Sequence, residues 1–225
     1  MKKIACLHAH PSNIALLSAA FAMYDVELVH FVDADLLLPG DGPAASATEQ
    51  AYARLRQQLK GMDDGSVDAI VITCTQYASY LTAEAEAACA APVFTIDGPF
   101  IQELSRTTER HLLVFSNPAT VEPTMSRIRK QAQTARAVPA IELLVVEDAF
   151  TLLMENRQEA YLAKLTAALH DLDQTLHGVP LSVAQLSMAP AAERFARETG
   201  RFVAHPLHSL TSQLVQTLAL SEKHA

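Results

Sequence analysis

The sequence predicts an α/β protein of two similar lobes, each a parallel sheet flanked by helices, with the active site in the cleft between them. Three observations predict it. Short β-branched runs alternate with longer segments of helical period, the pattern of βα units whose parallel sheet is covered on both faces. Half of the 225 residues are hydrophobic, which supports a substantial core. The second half also repeats the first: Asp68-Ala-Ile-Val-Ile-Thr-Cys74 and Leu181-Ser-Val-Ala-Gln-Leu-Ser187 are both apolar runs that end in a small nucleophilic residue and lead into a helix.

In chain order, strands are expected at 3–8, 26–32, 69–73, 93–96, 112–115, 142–146, 181–186 and 202–204. Helices fit between them at 13–23, 48–60, 78–90, 100–107, 118–132, 157–176, 191–199 and 207–220. Thr48 reads as a helix cap, and Pro92, Pro139 and Pro180 follow where helices stop. The first lobe is expected to comprise residues 1–97 and 206–225, and the second 98–205, with the crossing near Ile96-Asp97-Gly98-Pro99. In open α/β sheets ligands bind outside the carboxyl ends of the strands, so those ends hold the candidate site residues.

Composition narrows the function classes. A formal charge of -8 with scattered basic residues argues against nucleic acid, which needs a cationic stripe; Arg127 to Lys130 read as a solvated helix face. Three cysteines without CxxC spacing point away from a disulfide framework or structural zinc and toward a reducing cytoplasm. His8, His10, Pro11, Ser12 and Asn13 interrupt the apolar start that a signal peptide needs, and no stretch is long and apolar enough to span a bilayer. No glycine-rich phosphate loop is present. Seven glycines and eleven prolines spread along the chain predict order nearly end to end.

Cys74 follows the clearest buried strand and precedes a helix. A helix N-terminus favours the thiolate, the form that moves protons and attacks carbon; a core cysteine is the other reading that position allows. Cys6, inside a strand, and Cys89, among helical alanines, read as core.

Val67-Asp68-Ala69-Ile70-Val71-Ile72-Thr73-Cys74-Thr75 resembles the first cysteine motif of the aspartate/glutamate/hydantoin racemase superfamily. Ala184-Gln185-Leu186-Ser187-Met188-Ala189 resembles its second motif in a branch that carries Ser in the cysteine's place. Leu113 to Val121 is similar to the strand and loop with which such proteins hold a substrate carboxylate, with Asn117 where Thr is usual. The resemblance covers essentially the whole chain in element order.

It implies a cofactor-independent racemase or epimerase, or a related lyase, that transfers a proton at a carbon next to a carboxylate or carbonyl. Cys74 would be one base and Ser187 would occupy the other side. Serine is far less acidic than cysteine, so two-thiol racemisation is disfavoured and one-sided proton chemistry, as in the single-cysteine arylmalonate decarboxylases, is the nearer analogy. The resemblance further implies a small carboxylate or amino-acid-like substrate, contacts from Thr75, Gln76, Ser116, Asn117, Thr120, Gln185 and Met188, and a homodimer. His8 and Ala9 replace the acidic residue and Ser of glutamate racemases, and Ala189 replaces a histidine. His8 or His10 then assists as acid, base or carboxylate partner, or serves as an ordinary loop or structural histidine.

His8-Ala9-His10 also has the spacing to open a metal site. The further ligands it would need, among Asp33, Asp97, His205 and His208, form no familiar pattern, and no metal is expected. Tyr77 reads as either pocket or core, and Asp33 and Asp97 as caps or turns. Two other function classes stay open: a non-catalytic protein binding a small carboxylate, and a metal-dependent hydrolase using His8 and His10.

Overall fold

The computed structural model describes residues 1–34 and 44–223. The chain forms two compact units, Met1–Ile96 with Leu210–Ala225, and Asp97–Ser209.

In the first unit, β1 (Lys2–His8), β2 (Val26–Val32), β3 (Ala69–Ile72) and β4 (Val93–Thr95) form a parallel sheet in the order β2-β1-β3-β4. Helices α1 (Ser12–Ala20), α2 (Ala44–Met62), α3 (Thr75–Ser79) and α4 (Ala83–Ala87) connect them. Alternation along β1 sends Ala5 and Leu7 to one face, where they pack with Ile70, Ile72, Leu55 and Leu59, and sends Ile4, Cys6 and His8 to the other. Both sets are fully buried, as a doubly covered parallel sheet requires.

The second unit opens with α5 (Gly98–Leu104), and β5 (His111–Phe115), β6 (Ile141–Val145) and β7 (Leu181–Val183) form a parallel sheet in the order β6-β5-β7. Leu112, Val114, Leu181 and Val183 pack against α8 (Gln158–Leu176) and α9 (Ala189–Thr199) through Tyr161, Leu165, Leu169, Ala192 and Phe195. On the opposite face Leu113 and Phe115 meet Phe100, Ile101 and Leu104 of α5 and Ile128 of α6 (Val121–Ala135). The last helix is α10 (Pro206–Leu218).

Four expectations change. Residues 202–204 form no strand; Ala204 alone bridges to Ser182. The helix expected at 78–90 is two short ones, because Thr82 caps α4 by accepting from the Ala85 N–H at 3.1 Å. Thr48 lies inside α2, which starts at Ala44. A short helix, α7 (Ala149–Met154), follows β6 where none was expected.

Candidate functional site

Each sheet has one point where the chain reverses direction across it. In the first unit β2 lies on one side of β1 and β3 on the other; in the second, β6 and β7 flank β5 in the same way. Helices leave such a pair of strand ends toward opposite faces, which opens a crevice there. The two crevices are floored by the ends of β1 and β3, and of β5 and β7.

At the first, Cys74 is the N-cap residue of α3, with an extended backbone (φ -112°, ψ 123°) and a side chain that makes no cap hydrogen bond. It is half-buried, and all three cysteines carry thiols. With only five residues in α3, the helix offers no long dipole at this position. Thr75 is half-buried and Gln76 exposed. Tyr77 is buried and donates its hydroxyl to the Asp33 carbonyl. The buried Asp33 carboxylate takes a two-pronged bond from Arg54 (2.8 and 2.7 Å) and one from Gln58 (2.8 Å), so it ties the end of β2 to α2.

His8 is fully buried. Its Nε2 lies 2.9 Å from His30 Nδ1 and its Nδ1 lies 3.0 Å from Thr73 Oγ1. The Thr73 hydroxyl donates to the Leu7 carbonyl at 3.0 Å, so Thr73 accepts the Nδ1–H of His8, and His8 Nε2 turns a lone pair toward His30. Burial, with the His30 charge second, pushes His8 down to about 4; burial also lowers His30. His10 is exposed and its Nδ1 pairs with the Ser12 hydroxyl at 2.8 Å and backbone N–H at 3.2 Å at the start of α1.

The second crevice is a closed polar network. Gln185 Oε1 accepts the backbone N–H groups of Ser116 (2.7 Å) and Asn117 (3.2 Å), which fixes the orientation of its amide. The Ser116 hydroxyl therefore donates to the same oxygen at 2.8 Å. With that proton engaged, Tyr161 donates to Ser116 at 3.0 Å and Ser187 donates to Tyr161 at 2.8 Å. Burial raises the Tyr161 pKa, so its phenol is a neutral link and not a base for Ser187. Gln185 Nε2 reaches Thr120 Oγ1 at 3.2 Å, while Thr120 donates to the Asn117 carbonyl at 2.8 Å. Met188 is fully buried in the core of this unit.

Elsewhere, Asp97 is buried and pairs with Arg127. His205 is buried, pushed down to about 4 by burial and then by His208, and accepts the His208 N–H at 3.3 Å, so it caps the start of α10. Sequence reasoning missed Tyr161 and His30, which hydrogen-bond to the candidate residues Ser187 and His8. Tyr161 falls on the apolar stripe of α8, and His30 sits in an apolar strand, opposite Cys6 in register.

Neither protein-family models nor curated protein sequences match the chain. Solved structures do. The chain superposes on an aspartate racemase from Picrophilus torridus with a TM-score of 0.67 at 11% identity, covering 99% of this chain and 96% of that one. An allantoin racemase from Klebsiella pneumoniae gives 0.67 at 15% identity (99% and 91% covered), and a glutamate racemase from Bacillus anthracis 0.66 at 13% (97% and 82%). The fold is a racemase fold. Within this racemase fold the two crevices carry unlike residues, Cys74 in the first unit and Ser187 in the second. None of the described helices is long and apolar enough to cross a membrane.

Proposed function

We propose that the protein is a cofactor-independent enzyme of the racemase, epimerase or related lyase kind, with Cys74 as the group that moves a proton at a carbon next to a carboxylate or carbonyl. One observation carries this reading: a half-buried thiol stands at the N-cap of α3, in the β1/β3 crevice, with its side chain not engaged in capping. Solved racemases of the same fold support it.

Ser187 has no base beside it, because its described hydroxyl partner is the neutral Tyr161. Its proton points into the network and its lone pairs remain for a substrate donor, so Ser187 positions rather than abstracts, and the chemistry is one-sided. His8 acts on the turn through Thr73, since both its ring nitrogens are hydrogen-bonded inside the fold. Ser116, Asn117 and Thr120 form the carboxylate cradle. Gln185 Oε1 takes the bonds that a carboxylate oxygen would take, two backbone N–H groups and one hydroxyl, and is displaced by substrate. Thr75 and Gln76 line the thiol's side of the substrate, with His10 as an exposed partner for its charge.

The test is proton NMR in deuterium oxide with wild-type and Cys74→Ala protein and a panel of amino acids, hydantoins and substituted malonates. Loss of an α-proton signal, or carbon dioxide release with deuterium uptake, in the wild type alone supports the reading. Equal exchange by both proteins removes Cys74 from the mechanism. Silence across the panel together with a carboxylate-induced thermal shift favours a small-carboxylate-binding protein.

A further inference from the structure

The sheet of the first unit assembles a second group of chemically capable side chains, on β1 and β2 rather than at the start of α3. Cys6 and His8 are two residues apart on β1, so they share a face, and parallel register sets His30 of β2 opposite Cys6 on that same face. Cys6 Sγ and one ring nitrogen from each histidine all lie within 4.8 Å of one another.

We propose that Cys6, His8 and His30 bind one zinc-class divalent cation, with a solvent molecule as the fourth ligand. The donor set is one thiolate and two imidazoles, the combination that suits zinc and its neighbours and not magnesium or calcium. The outer shell is already built. His8 gives its Nδ1–H to Thr73 Oγ1, whose own proton goes to the Leu7 carbonyl, and this holds the Nε2 lone pair of His8 toward His30. Metal-bound histidines characteristically have their second nitrogen anchored in this way.

Tetrahedral coordination at ordinary bond lengths needs nitrogens about 3.3 Å apart, so the His8 and His30 nitrogens, now 2.9 Å apart, part slightly. The proton balance is simple. His30 moves its proton from Nδ1 to Nε2, and the Cys6 thiol releases one proton to solvent as the sulfur–metal bond forms. Cys6 and His8 are fully buried while His30 is half-buried on the edge strand β2, so the ion enters from the His30 side. Sequence spacing alone suggested His8 with His10; His10 instead pairs with Ser12.

The experiment uses the full chain, purified without a polyhistidine tag and stripped with a chelator, titrated with Co²⁺ and with Zn²⁺. The expected result is one Co²⁺ per chain with a near-ultraviolet thiolate-to-cobalt charge-transfer band, displaced by Zn²⁺. The band is absent in Cys6→Ala and unchanged in Cys74→Ala. His30→Ala, on the half-buried edge, weakens binding at least tenfold, and Thr73→Val, which removes the His8 anchor, weakens it about 10- to 100-fold. Absence of the band, its loss in Cys74→Ala, or unaltered affinity in His30→Ala overturns the proposal. Should Cys6→Ala fail to fold by circular dichroism, the His30→Ala titration decides. The proposal fails independently of the Cys74 mechanism, because its readout is metal binding and not turnover.

Discussion

The two crevices occupy the same place in their sheets and use it differently. After β3 the chain turns into α3 with Cys74 itself at the N-cap; after β7 the N-cap is Gln185, and Ser187 comes two residues later inside a 3-10 turn, Leu186–Met188. The cap residue of the first crevice leaves its side chain out of the cap, whereas that of the second folds back onto the β5 loop and takes three hydrogen bonds. A two-residue offset along similar strand ends thus separates a thiol at the N-cap from a hydroxyl built into the scaffold. Topology chooses where a ligand goes, and the local turn chooses which side chain meets it.

The comparison is tested most severely by activity. Cys74→Ala should lower the deuterium-exchange rate by about 10²- to 10⁴-fold, the ordinary worth of a positioned acid or base, while Ser187→Ala should lower it less than about tenfold because a hydroxyl without a base only orients. Equal losses would make the crevices catalytic equals.

Acid should weaken both units next, since burial pushes His8 in the first, like His205 in the second, down to about 4. His205 is held near 4 by burial against an ordinary 6.5, and burial lowers His111 as well. Each is neutral when folded and takes up a proton more readily when unfolded, so stability is complete above about pH 6.5 and declines as pH falls toward 4. The His205 contribution is on the order of 3 kcal/mol at most. Thermal melts from pH 7 to pH 4 read the decline, and His205→Asn should remove part of it and leave the share of His8; an unchanged profile in that variant would show that His205 does not contribute.

Tyr161→Phe removes the link between Ser116 and Ser187 and should cost about 1–3 kcal/mol in urea unfolding, the usual penalty for stranding a buried hydroxyl. A neutral result would mean the network is filled by water. The smallest effect is reserved for Gln185→Ala. If the amide occupies the place of a substrate carboxylate, KM falls a few-fold with kcat nearly unchanged; a rise in KM would make Gln185 a direct substrate contact.

Much of this architecture is legible in the sequence because its signals are local. The apolar run at 69–73 marks a buried strand, that at 26–32 a half-buried edge strand, and the period of 157–176 an amphipathic helix, without help from distant residues. Misreadings occur where distant partners decide. Phe202 to Ala204 has strand composition but only Ala204 finds a partner, at Ser182. Thr82 breaks what composition alone reads as one alanine-rich helix. The position of Cys74 at a strand end follows from its motif, but the bonds of Ser187 depend on Tyr161, 26 residues away on another element, and the partnership of His8 with His30 depends on strand register. Pattern gives each residue's face, while contacts between elements need the folded chain.

The Thr73 hydroxyl, committed to the Leu7 carbonyl, freezes His8 into one tautomer. A frozen, buried imidazole N–H exchanges slowly with solvent, so in water it should give a sharp downfield proton resonance that a mobile histidine never shows. The protein therefore carries an intrinsic, label-free spectroscopic reporter at the end of β1, one residue from Cys74 through Thr73.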